Sequence, residues 1–211
     1  IVGPEGPLVA GVADKLRAQN CLVFGPSQAA AQLEGSKIFM KEFCARQNLP
    51  TAAYTSFTDA AEACAYIDAQ GAPIVIKASG LAAGKGVVVA LDVAEAKQAV
   101  HDMLVDHRFG AAGQSIVIEE FLDGREISVH LICDGKTYKF LPIAQDHKRV
   151  SDANTGENTG GMGAYAPVPW ADEKLRREIE EKMCAPLFAG LKNAGVNFRG
   201  VLFAGLMVSK K

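Results

Sequence analysis

A glycine-rich stretch with two lysines is the part of the sequence best suited to chemistry. Residues 74–90 read IVIKASGLAAGKGVVVA, in which an apolar run ends at Lys77, a loop of small residues carries Lys85, and a run of valines follows. The pattern predicts a strand, a flexible loop and a second strand. Glycines let backbone N–H groups approach anionic oxygens, and the lysines add positive charge. The stretch is therefore typical of a phosphate site.

Two common phosphate loops do not fit this stretch. A Walker loop has four residues between its first glycine and the Gly-Lys pair, whereas only three separate Gly80 from Gly84. A Walker loop also continues into Ser or Thr and a helix, whereas Lys85 is followed by Gly86 and a run of valines. A dinucleotide-binding loop must also open a helix. We interpret the stretch as a glycine lid between two antiparallel strands, broadly as kinases cover nucleotide phosphates. A flexible hairpin with an exposed lysine is the plain alternative.

The composition narrows the class of partner. The chain has 211 residues, of which 49% are hydrophobic and 22% charged, with a net charge of -2. This charge gives no broad attraction for nucleic acid or an anionic membrane, so we expect small-molecule partners. No apolar run is long enough to span a membrane and no basic leader opens the chain. The five scattered cysteines predict reduced thiols and a cytoplasmic location, and the absence of an initiator Met indicates a fragment or processed chain.

The elements that must position the lid can be predicted from local signals. Residues 1–25 indicate a strand end, a helix from about residue 9 and a strand over 21–25, which is the pattern of a parallel sheet. Glu5 would then lie in a turn at the ligand-binding edge of that sheet, although such a carboxylate is often just exposed to solvent. Ser36 is predicted to cap a helix over 37–47. Lys37 then lies in the first turn, where the helix dipole disfavours a cation.

Two Asp-x-x-Glu patterns, beginning at Asp59 and Asp92, predict capped helices on either side of the lid. Residues 115–120 then predict a buried strand ending in two carboxylates. The alternation over 126–133, followed by Asp134-Gly135, predicts a strand and a type I′ hairpin turn into a strand over 136–141. The middle of the chain is therefore α+β in character.

Residues 145–163, QDHKRVSDANTGENTGGMG, are too long and too polar for a simple turn, and a loop of this length is usually functional or disordered. The charge run at 146–149 is either a solvated turn or part of a site. The glycine cluster at 160–163 predicts a second backbone-rich site for an anion or carboxylate. Beyond it, 172–194 predicts a helix interrupted at Pro186, and 200–209 predicts a buried strand.

Taken together, seven motifs resemble the ATP-grasp enzymes, and among them the phosphoribosylamine-glycine ligase family, also called glycinamide ribonucleotide synthetases. They are GPEGPL, GSK, KASGLAAGKG, IEEFLDGREIS, QDHKR, TGENTGGMGAY and GVLFAGLM, in family order across essentially the whole chain. The lid alone indicates only the superfamily, whereas QDHKR followed by NTGGMGAY is close to specific for this ligase. The resemblance implies an ATP-grasp fold of two α+β lobes gripping ATP over 36–211, with the lid and hinge within 73–135. Residues 1–35 would end a parallel-sheet α/β N-terminal domain.

The resemblance also assigns roles to residues. It implies that the nucleotide is bound by lysines, lid residues and hinge residues, namely Lys37, Lys77, Ser79, Gly80, Gly84, Lys85, Gly86, Glu119, Glu120, Phe121, Leu122 and Glu126. Glu119 and the backbone after it would meet the adenine, and Glu126 the ribose hydroxyls. Glycine and phosphoribosylamine would be bound by Glu5, Asp146, His147, Lys148, Arg149, Thr159, Gly160, Gly161, Met162 and Gly163. Lys77 and Lys148 would be catalytic.

The activity implied is ATP-dependent ligation of glycine to 5-phosphoribosylamine through glycyl phosphate in de novo purine biosynthesis, with ATP and Mg²⁺ or Mn²⁺. The family's Glu and Asn magnesium ligands would follow Lys211, so we expect no metal ligands here and little activity from these residues alone. Two alternatives stay open: another ATP-grasp carboxylate-amine ligase, and a nucleotide-binding module without catalysis. The intact Lys37, Lys77, Glu119 and Glu126 argue against the module. Fusion to other purine-pathway domains is not readable from the sequence.

Overall fold

The computed structural model describes residues 1–151 and 155–209. The chain divides into two compact units, each with its own core. The lid unit consists of Glu34–Glu42 and Thr51–Leu122, and the large unit consists of Ile1–Leu33, Phe43–Pro50 and the described part of 123–211. Within these residues, no helix has both the length and the apolar character needed to cross a membrane.

Four helices open the chain, and strands with four further α-helices follow. The α-helices are α1 (Glu5–Val9), α2 (Val12–Ala18), α3 (Gln28–Gly35), α4 (Lys37–Arg46), α5 (Ala60–Gln70), α6 (Val93–Val100), α7 (Glu173–Ile179) and α8 (Ala185–Asn193). The strands are β1 (Tyr54–Phe57), β2 (Ile74–Ala78), β3 (Val87–Ala90), β4 (Ile116–Glu120), β5 (Arg125–Asp134), β6 (Tyr138–Phe140), β7 (Gln145–Asp146), β8 (Arg149–Ser151), β9 (Thr155–Asn158), β10 (Ala164–Tyr165) and β11 (Arg199–Val208). Two π-helical segments, His101–Val105 and Glu180–Cys184, extend α6 and α7.

The lid unit is built on a four-stranded antiparallel sheet with the order β1-β4-β2-β3. Strand β4 lies inside the sheet, and its residues Ile116, Val117 and Ile118 are fully buried. Strands β2 and β3 are neighbours, and Lys77 pairs with Val87 at the mouth of the loop between them. The predicted strand, glycine loop and strand are therefore confirmed.

The helices of the lid unit begin where the sequence predicts. The Asp59 side chain accepts a hydrogen bond from Glu62 N at 2.9 Å, and the Asp92 side chain accepts one from Glu95 N at 2.8 Å. Each carboxylate satisfies a backbone donor that the first helical turn leaves unpaired, which fixes the start of α5 and α6. Both capping predictions are confirmed.

The large unit contains a three-stranded antiparallel sheet with the order β11-β5-β6. One face of β5, formed by Ile127, Val129, Leu131 and Cys133, is fully buried in the main core of this unit together with residues of α7, α8 and the π-helical segment between them. The side chains of the alternate residues, which include Glu126 and Ser128, point to the opposite face. The alternation of apolar and other residues along β5 therefore separates the face packed in the core from a face that can carry polar side chains.

The structure corrects two expectations for the first residues. The strands predicted at the start of the chain and over 21–25 are not formed, although Val2 N donates a hydrogen bond to Phe24 O at 2.9 Å. The helix predicted from residue 9 begins only at Val12, as α2, after Gly11 in a left-handed conformation with φ 78°, and α1 forms over Glu5–Val9, largely where a turn was predicted. Glu5 consequently lies in the first turn of a short helix.

Three later expectations are also wrong in part. The turn after β5 is not type I′, because Gly135 has φ 94° while Lys136 is not among the residues of positive φ, and type I′ needs both. The predicted loop over 145–163 instead contains three short strands: β8 pairs with β9, and β7 pairs with β10, which follows the loop. Strand β11 is buried on alternate residues rather than throughout, since Val201 and Phe203 are exposed.

Candidate functional site

The lid loop between β2 and β3 turns at its tip through two left-handed residues. Ala83 has φ 49° and Gly84 has φ 75°, and Lys85 N donates to Ala82 O at 2.9 Å. Two successive positive φ values across such a bond are the geometry of a type I′ turn. The Lys85 side chain is exposed at this tip. The structure therefore places the second lid lysine where it is free of the core.

Two other lid glycines are required by close packing. A Cβ atom on Gly80 would lie 2.7 Å from Ala112 Cα, and one on Gly86 would lie 2.7 Å from Ala82 Cβ. Gly80 N also donates to Ala112 O at 3.0 Å. Gly80 is thus packed against the Ala112 backbone and Gly86 against the Ala82 and Ala78 side chains, so the loop leaves the sheet in a defined direction.

Lys37 is anchored to the start of the lid loop by backbone contacts. Its backbone N donates to Ser79 O at 2.8 Å, and its Nζ donates to Ala78 O at 2.8 Å and to Gly80 O at 3.4 Å. The Ser79 hydroxyl accepts from Ile38 N at 3.3 Å. The first turn of α4 and the lid base therefore form one hydrogen-bonded group, although they are far apart in sequence.

The surroundings of Lys37 lower the pKa of its ammonium group. Burial is the largest cause, and the charge of Lys77 adds to it, while Glu34 acts in the opposite direction. Ser36 Oγ accepts from Phe39 N at 3.2 Å, which confirms the predicted cap of α4. The fold thus holds a cation at a helix start, where charge and dipole both disfavour it. An anionic ligand would relieve that cost.

A buried carboxylate joins two further lysines in the same unit. Glu119, which is 6% exposed, accepts a hydrogen bond on Oε2 from Lys77 Nζ at 2.8 Å. Its Oε1 lies 3.3 Å from Lys41 Nζ. That pair lies within ion-pair distance but lacks hydrogen-bond angles, since Oε1 receives no hydrogen bond among the described groups. Lys77 and Glu119, both of which the resemblance assigns to the nucleotide, are therefore in contact, and Lys41 is an additional member that the sequence did not indicate.

The other hinge residues behave differently from Glu119. Glu120 is exposed, and its Oε1 accepts from Ala53 N at 2.8 Å, so this side chain holds the chain before β1. Phe121 and Leu122 follow as exposed residues outside any strand. Their backbone groups lie in an irregular segment, as expected for residues that would meet a ligand through the main chain.

A second polar group lies in the large unit, on the face of β5 opposite the main core. Lys148 Nζ donates to Glu126 Oε1 and lies 3.7 Å from Asp146 Oδ2. Ser128 Oγ donates to Asp146 Oδ1 at 3.5 Å, and Gln145 Nε2 donates to the Glu126 carbonyl at 3.0 Å. The side chains of Glu126 and Lys148 are about one-third exposed, at 37% and 34%. This pair therefore remains open to a ligand.

The glycine turn at 159–163 folds back on the segment that carries Lys148. Thr159 N and Thr159 Oγ1 both donate to Lys148 O, at 2.7 and 2.8 Å. Met162 N donates to His147 O at 2.7 Å, and His147 N donates to Gly163 O at 2.9 Å. Gly160 and Gly161 are partly or fully exposed between these contacts. The structure thus brings together most residues that the resemblance assigned to substrate.

Three positions fall outside these groups. Glu5 is an exposed residue of α1, and none of its described contacts joins the group around Glu126. The backbone of Arg149 pairs with Asn158, while its side chain lies outside the description. Residues 152–154 of the predicted loop also lie outside the described residues.

The described residues do not fit a magnesium site beside the lysines. Among residues 1–151 and 155–209, three metal-type side chains converge at His101, Asp102 and Asp106. Their carboxylates are already bonded to Gln98, Arg108 and His101 on the surface of the lid unit. The carboxylate nearest to the phosphate-type lysines, that of Glu119, is occupied by cations. No chemical step is therefore assigned here to a metal.

The sequence reasoning missed Lys41, Ser128 and Tyr165. Lys41 lies one helical turn after Lys37, and this spacing is the only local signal for it. Ser128 follows Glu126 on the same strand face, which period two would have indicated. Tyr165 OH donates to Gln145 Oε1 at 2.5 Å, a contact that depends on the pairing of β10 with β7.

Known proteins share both the sequence and the fold. Residues 35–211 match the model described as phosphoribosylglycinamide synthetase, ATP-grasp (A) domain, and residues 1–34 match the N domain of the same synthetase. The phosphoribosylamine–glycine ligase of Brucella melitensis is 57% identical over 209 residues, which are 99% of this chain and 49% of that protein. The chain spans about half the length of the curated relatives it matches.

Solved structures agree with this assignment. The crystal structure of phosphoribosylamine–glycine ligase from Thermotoga maritima superposes with a TM-score of 0.79 at 34% identity, covering 89% of this chain and 48% of that one. The biotin carboxylase domain of Hydrogenobacter thermophilus 2-oxoglutarate carboxylase, solved with MgADP, superposes with a TM-score of 0.74 at 16% identity. The match covers 99% of this chain and 44% of that protein chain, and at this identity it shows a likeness of fold alone. The fold is therefore ATP-grasp, and the chain belongs to the phosphoribosylglycinamide synthetase family.

Proposed function

We propose that the protein to which this chain belongs ligates glycine to 5-phosphoribosylamine at the expense of ATP. The products are glycinamide ribonucleotide, ADP and phosphate, in de novo purine biosynthesis. Membership of the synthetase family supports the substrates. The observation that carries the nucleotide part is the cluster of Lys37, Lys77 and Glu119 beside the glycine lid of the same unit.

The chemistry requires activation of a carboxylate, which is a poor electrophile. A carboxylate oxygen of glycine attacks the γ-phosphorus of ATP, the bond to the bridging oxygen breaks, and ADP leaves. The amine of phosphoribosylamine then attacks the carbonyl carbon of glycyl phosphate, a proton is lost, and phosphate departs with one oxygen from glycine. No covalent enzyme nucleophile takes part. The protein must stabilise negative charge and keep water from the acyl phosphate.

We assign the phosphate contacts to the lid unit. Lys37 and Lys77 would neutralise the nucleotide phosphates, with Lys77 acting on the transferred group. The lid residues Ser79, Gly80, Gly84, Lys85 and Gly86 would cover them. Glu119 and the backbone of Phe121 and Leu122 would meet the adenine, with Glu120 beside them at the hinge. In the structure Glu119 contacts two lysines, so a direct contact between its Oε2 and adenine requires Lys77 to leave that atom.

We assign the remaining contacts to the polar group of the large unit. Glu126 would accept the ribose hydroxyls, a role supported by its partial exposure. Lys148 would neutralise charge on the substrates. The residues around it would bind glycine and phosphoribosylamine, namely Glu5, Asp146, His147, Arg149, Thr159, Gly160, Gly161, Met162 and Gly163. The hydrogen bonds that hold the turn at 159–163 against Lys148 support this assignment for all but Glu5 and Arg149.

We further propose that ATP is used with Mg²⁺ or Mn²⁺, which would supply additional charge neutralisation when bound. Residues 1–35 would close an N-terminal α/β domain and 36–211 would form most of the ATP-grasp domain, with the lid and hinge within 73–135. The cysteines, which form no disulfide within the described residues, support a cytoplasmic enzyme, and the net charge of -2 supports small-molecule substrates without a nucleic-acid partner.

The test uses the full-length parent protein with ATP, magnesium and phosphoribosylamine, and compares ADP release with glycine and with a panel of other small carboxylates. We expect release that depends on glycine and yields glycinamide ribonucleotide. Turnover driven by another carboxylate would keep the fold and discard the substrate. Nucleotide binding without turnover would instead support a non-catalytic module.

A further inference from the structure

Lys41 is a fully buried lysine in helix α4, with 1% of its surface exposed. Its Nζ donates to Thr51 Oγ1 at 2.8 Å and to Ala52 O at 3.0 Å. The same atom lies 3.3 Å from Glu119 Oε1 and 5.3 Å from the centre of the Tyr54 ring. Lys41 is therefore held from several sides by groups that favour its charge.

A buried ammonium is costly, and an apolar side chain of similar volume would fill the same space at lower cost. Packing alone therefore does not explain a lysine at this position. The neighbouring carboxylate of Glu119 provides a reason for it, because a buried carboxylate is stable only while a cation compensates it. Lys77 is the second cation on that carboxylate.

The two lysines on Glu119 differ in freedom. The Lys77 side chain is 27% exposed, whereas that of Lys41 is 2% exposed. Lys77 makes its described hydrogen bond to Glu119 Oε2, but Lys41 is also bonded to the chain after α4. Only Lys77 is therefore placed to exchange the carboxylate for a ligand.

The ionised side chains around Glu119 carry a net positive charge. Lys37, Lys41 and Lys77 carry three positive charges against two negative charges, one on Glu119 and one on Glu34, which acts on Lys37. If Lys77 moved to an anion with no other cation present, Glu119 would be left buried and uncompensated. Lys41 prevents this because its position does not depend on the ligand.

We propose that Lys41 is a positioning residue of the nucleotide site, which compensates the Glu119 charge so that Lys77 can leave that carboxylate for a phosphate oxygen. The inference rests on the proposed function, since it needs a polyphosphate ligand at Lys77. Lys41 itself touches no substrate. It sets how readily Lys77 becomes available.

The test is a double-mutant cycle in the full-length parent protein, with the affinity for ATP measured by calorimetry. The variants are Lys41→Met, Glu119→Gln and the double variant, with Lys41→Arg as the charge-retaining variant. Lys97→Met is the matched control, because it removes an exposed lysine paired with Asp68 at 2.7 Å elsewhere in the lid unit. Melting temperatures are recorded for all variants, and KM for glycine is measured alongside.

We expect Lys41→Met to weaken ATP binding about tenfold or more, the scale of coupling between charged groups in contact. KM for glycine should stay unchanged, Lys41→Arg should retain most of the affinity, and Lys97→Met should bind normally. In the Glu119→Gln background the Lys41 substitution should have little further effect, because no charge remains to compensate. A purely structural lysine would cost the same factor in both backgrounds.

Each outcome separates the claims. Failure of the wild-type protein to bind ATP would overturn the proposed function and this inference with it. Normal ATP binding by Lys41→Met would overturn this inference alone, as would equal losses in the two backgrounds. If Lys41→Met does not fold, the double variant decides: affinity equal to that of Glu119→Gln supports the inference, and a further loss overturns it.

Discussion

Gly80→Ala tests whether the lid base is fixed by close packing. An added Cβ would lie 2.7 Å from Ala112 Cα and 2.9 Å from Ala112 Cβ. Unstrained carbon contacts lie at about 3.5–4.0 Å, so the two backbones must separate by roughly 1 Å. Insertion of a methyl group into a packed position typically costs about 1–3 kcal/mol. We expect the free energy of unfolding of the lid unit to fall by that amount.

The same displacement should also affect the nucleotide. Gly80 O accepts from Lys37 Nζ at 3.4 Å, so movement of this carbonyl moves the anchor of a proposed phosphate ligand. A misplacement of about 1 Å can cost up to about a hundredfold in rate. We expect kcat/KM for ATP in the full-length parent to fall by at least about tenfold, measured by ADP release.

A matched glycine separates packing from backbone strain. Gly84 has φ 75°, and no atom lies within 4 Å of a Cβ added there. Gly84→Ala should therefore lower the free energy of unfolding only by the cost of a left-handed conformation, about 1–2 kcal/mol. The free energy of unfolding of the lid unit is measured for both variants by urea unfolding, followed by hydrogen exchange of the lid-unit amides. Wild-type stability and wild-type kcat/KM for ATP in Gly80→Ala would refute the packing argument.

Three further predictions concern charge, a buried hydrogen bond and the core. Burial holds the pKa of Lys37 in the folded protein below its ordinary value of 10.5. Its charge therefore destabilises the fold in full at a pH below this lowered pKa, and the destabilisation is relieved as the pH rises toward 10.5. ATP should raise this pKa, and calorimetry in buffers of different ionisation enthalpy should show proton uptake on binding in that window; no uptake would contradict the role. Tyr138→Phe keeps the ring but removes the hydrogen bond to the Glu180 carboxylate, and should cost about 1.5–3 kcal/mol in urea unfolding. Ile118→Ala, at a fully buried position, should cost about 2–5 kcal/mol, whereas Ile132→Ala at an exposed position should cost far less; equal costs would contradict the assigned core.

Local features of the fold were predictable from the sequence. The caps at Asp59 and Asp92 and the hairpin of β2 and β3 depend on residues a few positions apart, and their signals are chemical. The short strands within 145–163 were missed, because the pairing of β7 with β10, beyond that segment, is set by contacts that no local pattern encodes. The strand predicted over 21–25 failed for the opposite reason: a short apolar run is ambiguous without a ladder partner.

The candidate site was predictable where the chemistry lies in a motif. The lid glycines and Lys37 stand in such motifs, and Lys37 Nζ donates a hydrogen bond to Gly80 O. Lys41 was not predictable, because a lysine in an amphipathic helix is normally interpreted as solvated. Its burial depends on Thr51 and Glu119, which reach it only through the tertiary fold.

The central claim is that the parent protein activates glycine by phosphoryl transfer from ATP. The most direct measurement supplies glycine labelled with heavy oxygen in its carboxylate, together with ATP, magnesium and phosphoribosylamine, and analyses the released phosphate by mass spectrometry. The account predicts one labelled oxygen in the phosphate for each glycinamide ribonucleotide formed, because the acyl phosphate breaks between carbon and that oxygen. Product formed with unlabelled phosphate would contradict it.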